Sequence, residues 1–127
     1  MKAKVSHFEI PAEDVGGAKK FYHDVFGFRI DDVPDMDYSM IYTAETDDKG
    51  MLKEPGAING GMMKRSPMVK HPVITIVVDN IDDALRRVKD SGGTVTVDKI
   101  SVGDFGISAY FEDPEGNIMG LYQSTRR

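Results

Sequence analysis

The chain has 127 residues, and 21 acidic against 16 basic side chains give a formal net charge of −5. That balance argues against binding nucleic-acid phosphates as a main function. With no cysteine, disulfides, thiolate metal ligands and cysteine nucleophiles are excluded.

Val5-Ser6-His7-Phe8-Glu9-Ile10 opens the chain as a strand with Val5, His7 and Glu9 on one face and Ser6, Phe8 and Ile10 on the other. Asp14 is placed to cap a helix whose stripe is Val15, Ala18, Phe21, Tyr22, Val25 and Phe26, ended by Gly27. Phe28 to Asp32 and Tyr38 to Thr43 read as strands. Ala44 to Gly56 is polar without apolar period, a long surface loop. Ile58 to Met63 is a weak strand containing the Gly60-Gly61 pair, and Lys64 to Pro72 is a basic linker bounded by proline.

Val73 to Val78 is almost wholly β-branched, so a well-buried strand follows, with Val73, Thr75 and Val77 on one face and Ile74, Ile76 and Val78 under a helix. Asn80 caps that second helix, whose stripe is Ile81, Ala84, Leu85 and Val88. Gly92-Gly93 stops it and Thr94 to Val97 opens another strand. The last hairpin joins Ile107–Glu112 to Ile118–Tyr122 through the turn residues Asp113-Pro114-Glu115-Gly116-Asn117. Phe21, Tyr22, Phe26, Leu85 and Val88 are the expected core.

The two halves repeat. An offset of 66 pairs His7 with Val73, Ile10 with Ile76, Asp14 with Asn80, Ala18 with Ala84 and Gly27 with Gly93, while at the far end an offset of 60 pairs Gly60 with Gly120. Each half reads β-α-β-β-β, the first spanning about 1–66 and the second about 67–127. The fold expected is α+β: one domain over 1–127 in which two βαβββ repeats pack with helices outside and sheets curving around a shared interior.

F-Y-x-x-V-F-G-F across Phe21 to Phe28 and E-D-P-E-G-N-x-x-G-L-Y across Glu112 to Tyr122, with the paired units, resemble the vicinal oxygen chelate superfamily. That superfamily takes in glyoxalase I, bleomycin- and fosfomycin-resistance proteins, extradiol dioxygenases and methylmalonyl-CoA epimerase. The resemblance implies that the two βαβββ repeats form a U-shaped mixed sheet with helices outside, around a cleft often completed by dimerisation. It also implies a divalent metal held by the first and last strands of each unit, positions that fall here on His7, Gly60 (Gly61 if the register slips by one), Val73 and Gly120. Only His7 has a ligating side chain, and one imidazole is not a metal site. A rearranged site from His7, Glu9 and His71 is the remaining route to a metal. The expectation is therefore no metal and no cofactor.

Candidate ligand-binding residues are His7 and Glu9, which point the same way on their strand, with Tyr42, Met62, Thr75 and Tyr122. Met62 is chosen for sharing the Gly60 face, although core filling is the commoner role of methionine. No catalytic residue is assigned. The implied function is a metal-free binding protein of the glyoxalase and bleomycin-resistance type that sequesters an organic ligand. The alternative is a lyase or isomerase of the lactoylglutathione lyase type, or a dioxygenase-like enzyme, using His7 and Glu9. Expected partners are a small organic ligand and a second copy of the chain, with neither nucleic acid nor membrane. No apolar run nears the roughly 20 residues of a membrane span, and Met1 to His7 lacks a signal-peptide core, so the expected location is cytoplasmic.

Overall fold

Asp14 begins the first helix as its sequence position demands: its carboxylate accepts from the Gly17 amide at 3.0 Å and satisfies one of the orphan donors of the first turn. The helix, α1 (Val15–Phe26), ends at Gly27, whose φ of 74° lies in the left-handed region that closes helices. In the second helix, α2 (Ile81–Asp90), the Asn80 side chain accepts from the Asp83 amide at 2.9 Å. The computed structural model describes residues 3–49 and 51–125. Met1 and Lys2, part of the start read for a signal peptide, lie outside the described residues.

Around these helices run β1 (Ala3–Ala12), β2 (Arg29–Asp32), β3 (Ser39–Tyr42), β4 (Asn59–Lys64), β5 (Val73–Val78), β6 (Thr94–Ser101), β7 (Gly106–Glu112) and β8 (Ile118–Ser124), with a short 3-10 turn at Gly103–Phe105. Each half is thus β-α-β-β-β, and the class is α+β. The chain divides into two compact units, His7–Pro72 and a second formed by the residues up to Ser6 together with the segment from Val73 onward.

In the His7–Pro72 unit, β4 pairs parallel with β1 and antiparallel with β3, and β2 closes the edge against β3. Residues paired across strands share a face, so the register decides what looks where. Glu9 stands opposite Gly61, Met40 opposite Gly61 from the other side, and Ile10 and Ser39 both stand opposite Met62. One face therefore carries His7, Glu9, Met40 and Gly61, and the other Phe8, Ile10, Ser39, Ile41 and Met62. Asp32 pairs with Ser39, accepts a hydrogen bond from its hydroxyl at 2.8 Å, and takes an ion pair from Lys19 of α1. That contact puts α1 on the Met62 face, where Ile41 and Met62 are fully buried. Among the described residues of this unit, no helix lies on the face bearing His7 and Glu9.

In the other unit β5 pairs parallel with β8, and β7 joins β8 to β6 in antiparallel ladders. Between β7 and β8 the expected turn forms: the Asp113 carboxylate accepts from the Glu115 and Asn117 amides at 2.8 and 3.0 Å. These bonds, led by those from Asn117, hold the Asp113 carboxyl below the ordinary aspartate range. Val78, Ile81, Ala84, Leu85, Ala109 and Leu121 form the core, with Ile76 packed against it. Ile76 and Val78 thus lie under α2 as expected, whereas Ile74 is exposed.

The expectation for α1 needs correction. Phe21 and Phe26, read as core, are 55% and 60% exposed, and no described residue of α1 is buried. The rings instead pack on one another: Phe21 meets Tyr22 edge-on at 5.2 Å, and Phe28 stacks on Phe26 at 5.6 Å and on Tyr22 at 6.2 Å.

Candidate functional site

His7, Glu9 and Tyr38 make one hydrogen-bonded chain on the helix-free face of the His7–Pro72 unit. Residues i and i+2 of β1 project to the same side, which brings the imidazole and the carboxylate together. Tyr38 enters from the residue before β3. Its hydroxyl donates to Glu9 Oε2 at 2.7 Å and meets His7 Nε2 at 2.9 Å.

Gly61 makes room for this. A Cβ built on Gly61 would stand 1.7 Å from the Tyr38 hydroxyl oxygen and 2.0 Å from its ring carbon Cζ. The phenol therefore fills the space that a side chain on β4 would otherwise take, directly opposite Glu9. Glu9 is only 6% exposed, so its carboxylate depends on such partners to offset the cost of burial. Burial also acts on His7: desolvation lowers its pKa from 6.5 to about 4, so the imidazole is neutral at pH 7.

The other expected contact residues are placed as follows. Tyr42, on β3, lies beneath the Arg29 guanidinium, 4.1 Å from ring centre to cation. Met62 does share the face of Gly60, but that face is the one of Ile10 and α1, not of His7. The register is the slipped one, with Gly61 rather than Gly60 beside Glu9, and Met62 is core. In the second unit Thr75 is buried opposite Gly120, with its hydroxyl oxygen 2.7 Å from where a Gly120 Cβ would stand. The Tyr122 hydroxyl donates to the Phe105 carbonyl and so ties β8 to the 3-10 turn. His71 is exposed on the linker. Off this face, a shallow hollow of about 360 Å³ beside α1 is lined by Lys19, Lys20, His23, Arg29 and Ile30. It contains none of His7, Glu9 or Tyr38, and its cations are paired with Asp32, Asp24 and Asp31.

The register also repairs the repeat. Glu9 pairs with Gly61 and Thr75 with Gly120, so at the far end the structural offset is 59 rather than 60. Buried Met62 then corresponds to buried Leu121. Tyr38 is the residue missed from sequence. It was legible only as the first residue of a strand, because its partners come from pairings between strands distant along the chain.

A model of the Glyoxalase/Bleomycin resistance protein/Dioxygenase superfamily matches residues 4–120. The chain belongs to this superfamily. Two curated relatives, both named "Putative glyoxylase CFP32", from Mycobacterium bovis and Mycobacterium tuberculosis, are 30% identical over 120 residues, covering 93% of this chain and 44% of theirs. The chain thus spans less than half the length of the curated relatives it matches. Among solved structures, a methylmalonyl-CoA epimerase in complex with methylmalonyl-CoA and NH4+ is similar at TM-score 0.70 and 18% identity, covering 99% of this chain and 97% of that one. The hypothetical protein BH1468 from Bacillus halodurans C-125 is similar at TM-score 0.67 and 15% identity, covering 100% and 98%. At such identities the likeness is one of fold.

The metal that the resemblance implies is poorly served by the residues present. Of the four strand positions, His7 alone carries a donor. Val73 offers methyls, the slipped register leaves Gly61 on β4, and Gly120 has no side chain. Among the described residues no group of three or more His, Asp or Glu side chains converges. No helix among the described residues is long and apolar enough to cross a membrane.

Proposed function

We propose that the chain is a small-molecule-binding member of the superfamily that holds an organic ligand on the helix-free face of the His7–Pro72 unit, without a metal ion, and sequesters it. The observation that carries this reading is the Tyr38 hydroxyl standing in the place of a Gly61 side chain, hydrogen-bonded to both Glu9 and His7. A polar group of the ligand meets this chain, and half-buried Met40 and Met63 on the same face supply apolar, adaptable surface. Residues 1–127 act as one domain of two repeats, the working form is a cytoplasmic homodimer, and nucleic acid is not a partner.

The test is calorimetric titration and thermal shift with a panel of small aromatics and thiol conjugates. A ligand that stabilises the wild type should bind about tenfold more weakly to His7→Ala and to Glu9→Ala, the loss of one hydrogen bond to a polar or charged group. Unchanged affinity in both variants removes this face from the site.

A second reading, a lyase or isomerase, is favoured by one further observation: an imidazole and a carboxylate, groups able to serve as acid and base, lie on one hydrogen-bonded chain through the Tyr38 phenol. The glyoxylase name of the curated relatives points the same way. Turnover of the methylglyoxal–glutathione hemithioacetal, lost in His7→Ala, would replace sequestration by catalysis.

A further inference from the structure

The polarity of the hydrogen-bonded chain specifies which ligand group it can meet. Tyr38 has one hydroxyl proton, and it points to the Glu9 carboxylate at 2.7 Å. Its contact with His7 Nε2 at 2.9 Å therefore needs the proton on the histidine side. A neutral imidazole with Nε2–H has a lone pair on Nδ1. No described residue hydrogen-bonds Nδ1, and no described side-chain nitrogen or oxygen is both fully buried and without a partner, so Nδ1 reaches the surface.

We infer that His7 Nδ1 is the ligand-facing acceptor of this chain, and that the site takes a neutral, largely apolar small molecule bearing a hydroxyl or N–H donor, with Tyr38 as the positioning residue. The inference rests on the small-molecule reading above and adds the ligand's chemical class. The order is Glu9 carboxylate, Tyr38 O–H, His7 Nε2–H, then the Nδ1 lone pair. A ligand carboxylate or ether oxygen at Nδ1 would set lone pair against lone pair, whereas a hydroxyl completes the series. Gly61 belongs to the same device: without a Cβ there, the phenol keeps its place between the acid and the imidazole. Tyr38 acts through His7 and selects its tautomer.

The experiment has two arms. The first uses the protein alone, labelled with 15N-histidine, in long-range proton–nitrogen NMR at pH 7. Wild-type His7 should show the Nε2–H tautomer, and Tyr38→Phe, which keeps the ring but loses the hydroxyl, should give a mixture of tautomers. A wild-type Nδ1–H tautomer reverses the chain and overturns the inference. The second arm titrates phenol and its methyl ether, anisole, and follows the His7 resonances. Phenol should bind about tenfold more tightly than anisole to the wild type, a preference worth about one hydrogen bond, and the ratio should fall towards one in Tyr38→Phe. Equal binding of the two probes leaves the small-molecule reading standing and overturns the donor requirement. Binding of neither overturns that reading, and the inference with it.

Discussion

The two helices started from the same kind of sequence and ended in different surroundings. Both are capped by a side chain of the right type, Asp14 and Asn80, and both carry an apolar stripe at helical spacing. Yet α2 buries Ile81, Ala84 and Leu85 to 6% exposure or less, while α1 leaves Phe21, Val25 and Phe26 more than half exposed. The difference teaches that periodicity and capping specify a helix but not the depth of its seat. The α2 stripe is aliphatic and branched and fits between β-branched strand residues. The α1 stripe is aromatic, and its rings satisfy much of their packing with Tyr22 and Phe28 instead of with the sheet.

The comparison breaks most visibly at Leu85. Leu85→Ala should cost about 3 kcal/mol in urea unfolding, the range of a buried leucine truncation, while Phe26→Ala should cost only a fraction of that. Equal losses would mean that the two helices are seated alike.

His7 supplies an effect of similar size with a pH signature. Its folded pKa lies near 4, below the unfolded 6.5, so the unfolded chain binds the proton first. Stability attributable to His7 should be full above about pH 6.5 and fall as the pH drops towards 4, by an amount on the order of 3 kcal/mol. His7→Gln should flatten that limb of the stability profile, and an unaltered slope would remove His7 as its source.

Gly61→Ala comes next. Its Cβ would collide with the Tyr38 ring, and displacing that ring should cost about 2 kcal/mol, a cost that the double variant Gly61→Ala/Tyr38→Ser largely removes. If the single variant is neutral, the phenol does not occupy this notch. The caps give the smallest effect: Asp14→Ala and Asn80→Ala should each cost about 1 kcal/mol, and a clear inequality between them would expose fraying of one helix.

Most of the architecture was legible in the sequence because each element carries its own punctuation. Asp14 and Gly27 bracket α1, Asn80 starts α2, and Asp113 to Asn117 turns the last hairpin. The site was legible in half. His7 and Glu9 follow from alternation on a single strand. The β4 register does not, because neighbouring glycines present no side-chain parity to tell one face from the other, and a slip of one residue exchanges the faces. That slip carried Met62 into the core and hid the bond between Tyr38 and Glu9.

Under the proposed function, hydrogen-bonding organic groups, and not a metal ion, meet the His7 face of the His7–Pro72 unit. Calorimetric titration of Zn²⁺ and Mn²⁺ into the untagged wild type and into His7→Ala tests it most directly. The account predicts no stoichiometric binding that depends on His7. One ion bound per chain by the wild type and lost in His7→Ala would contradict it.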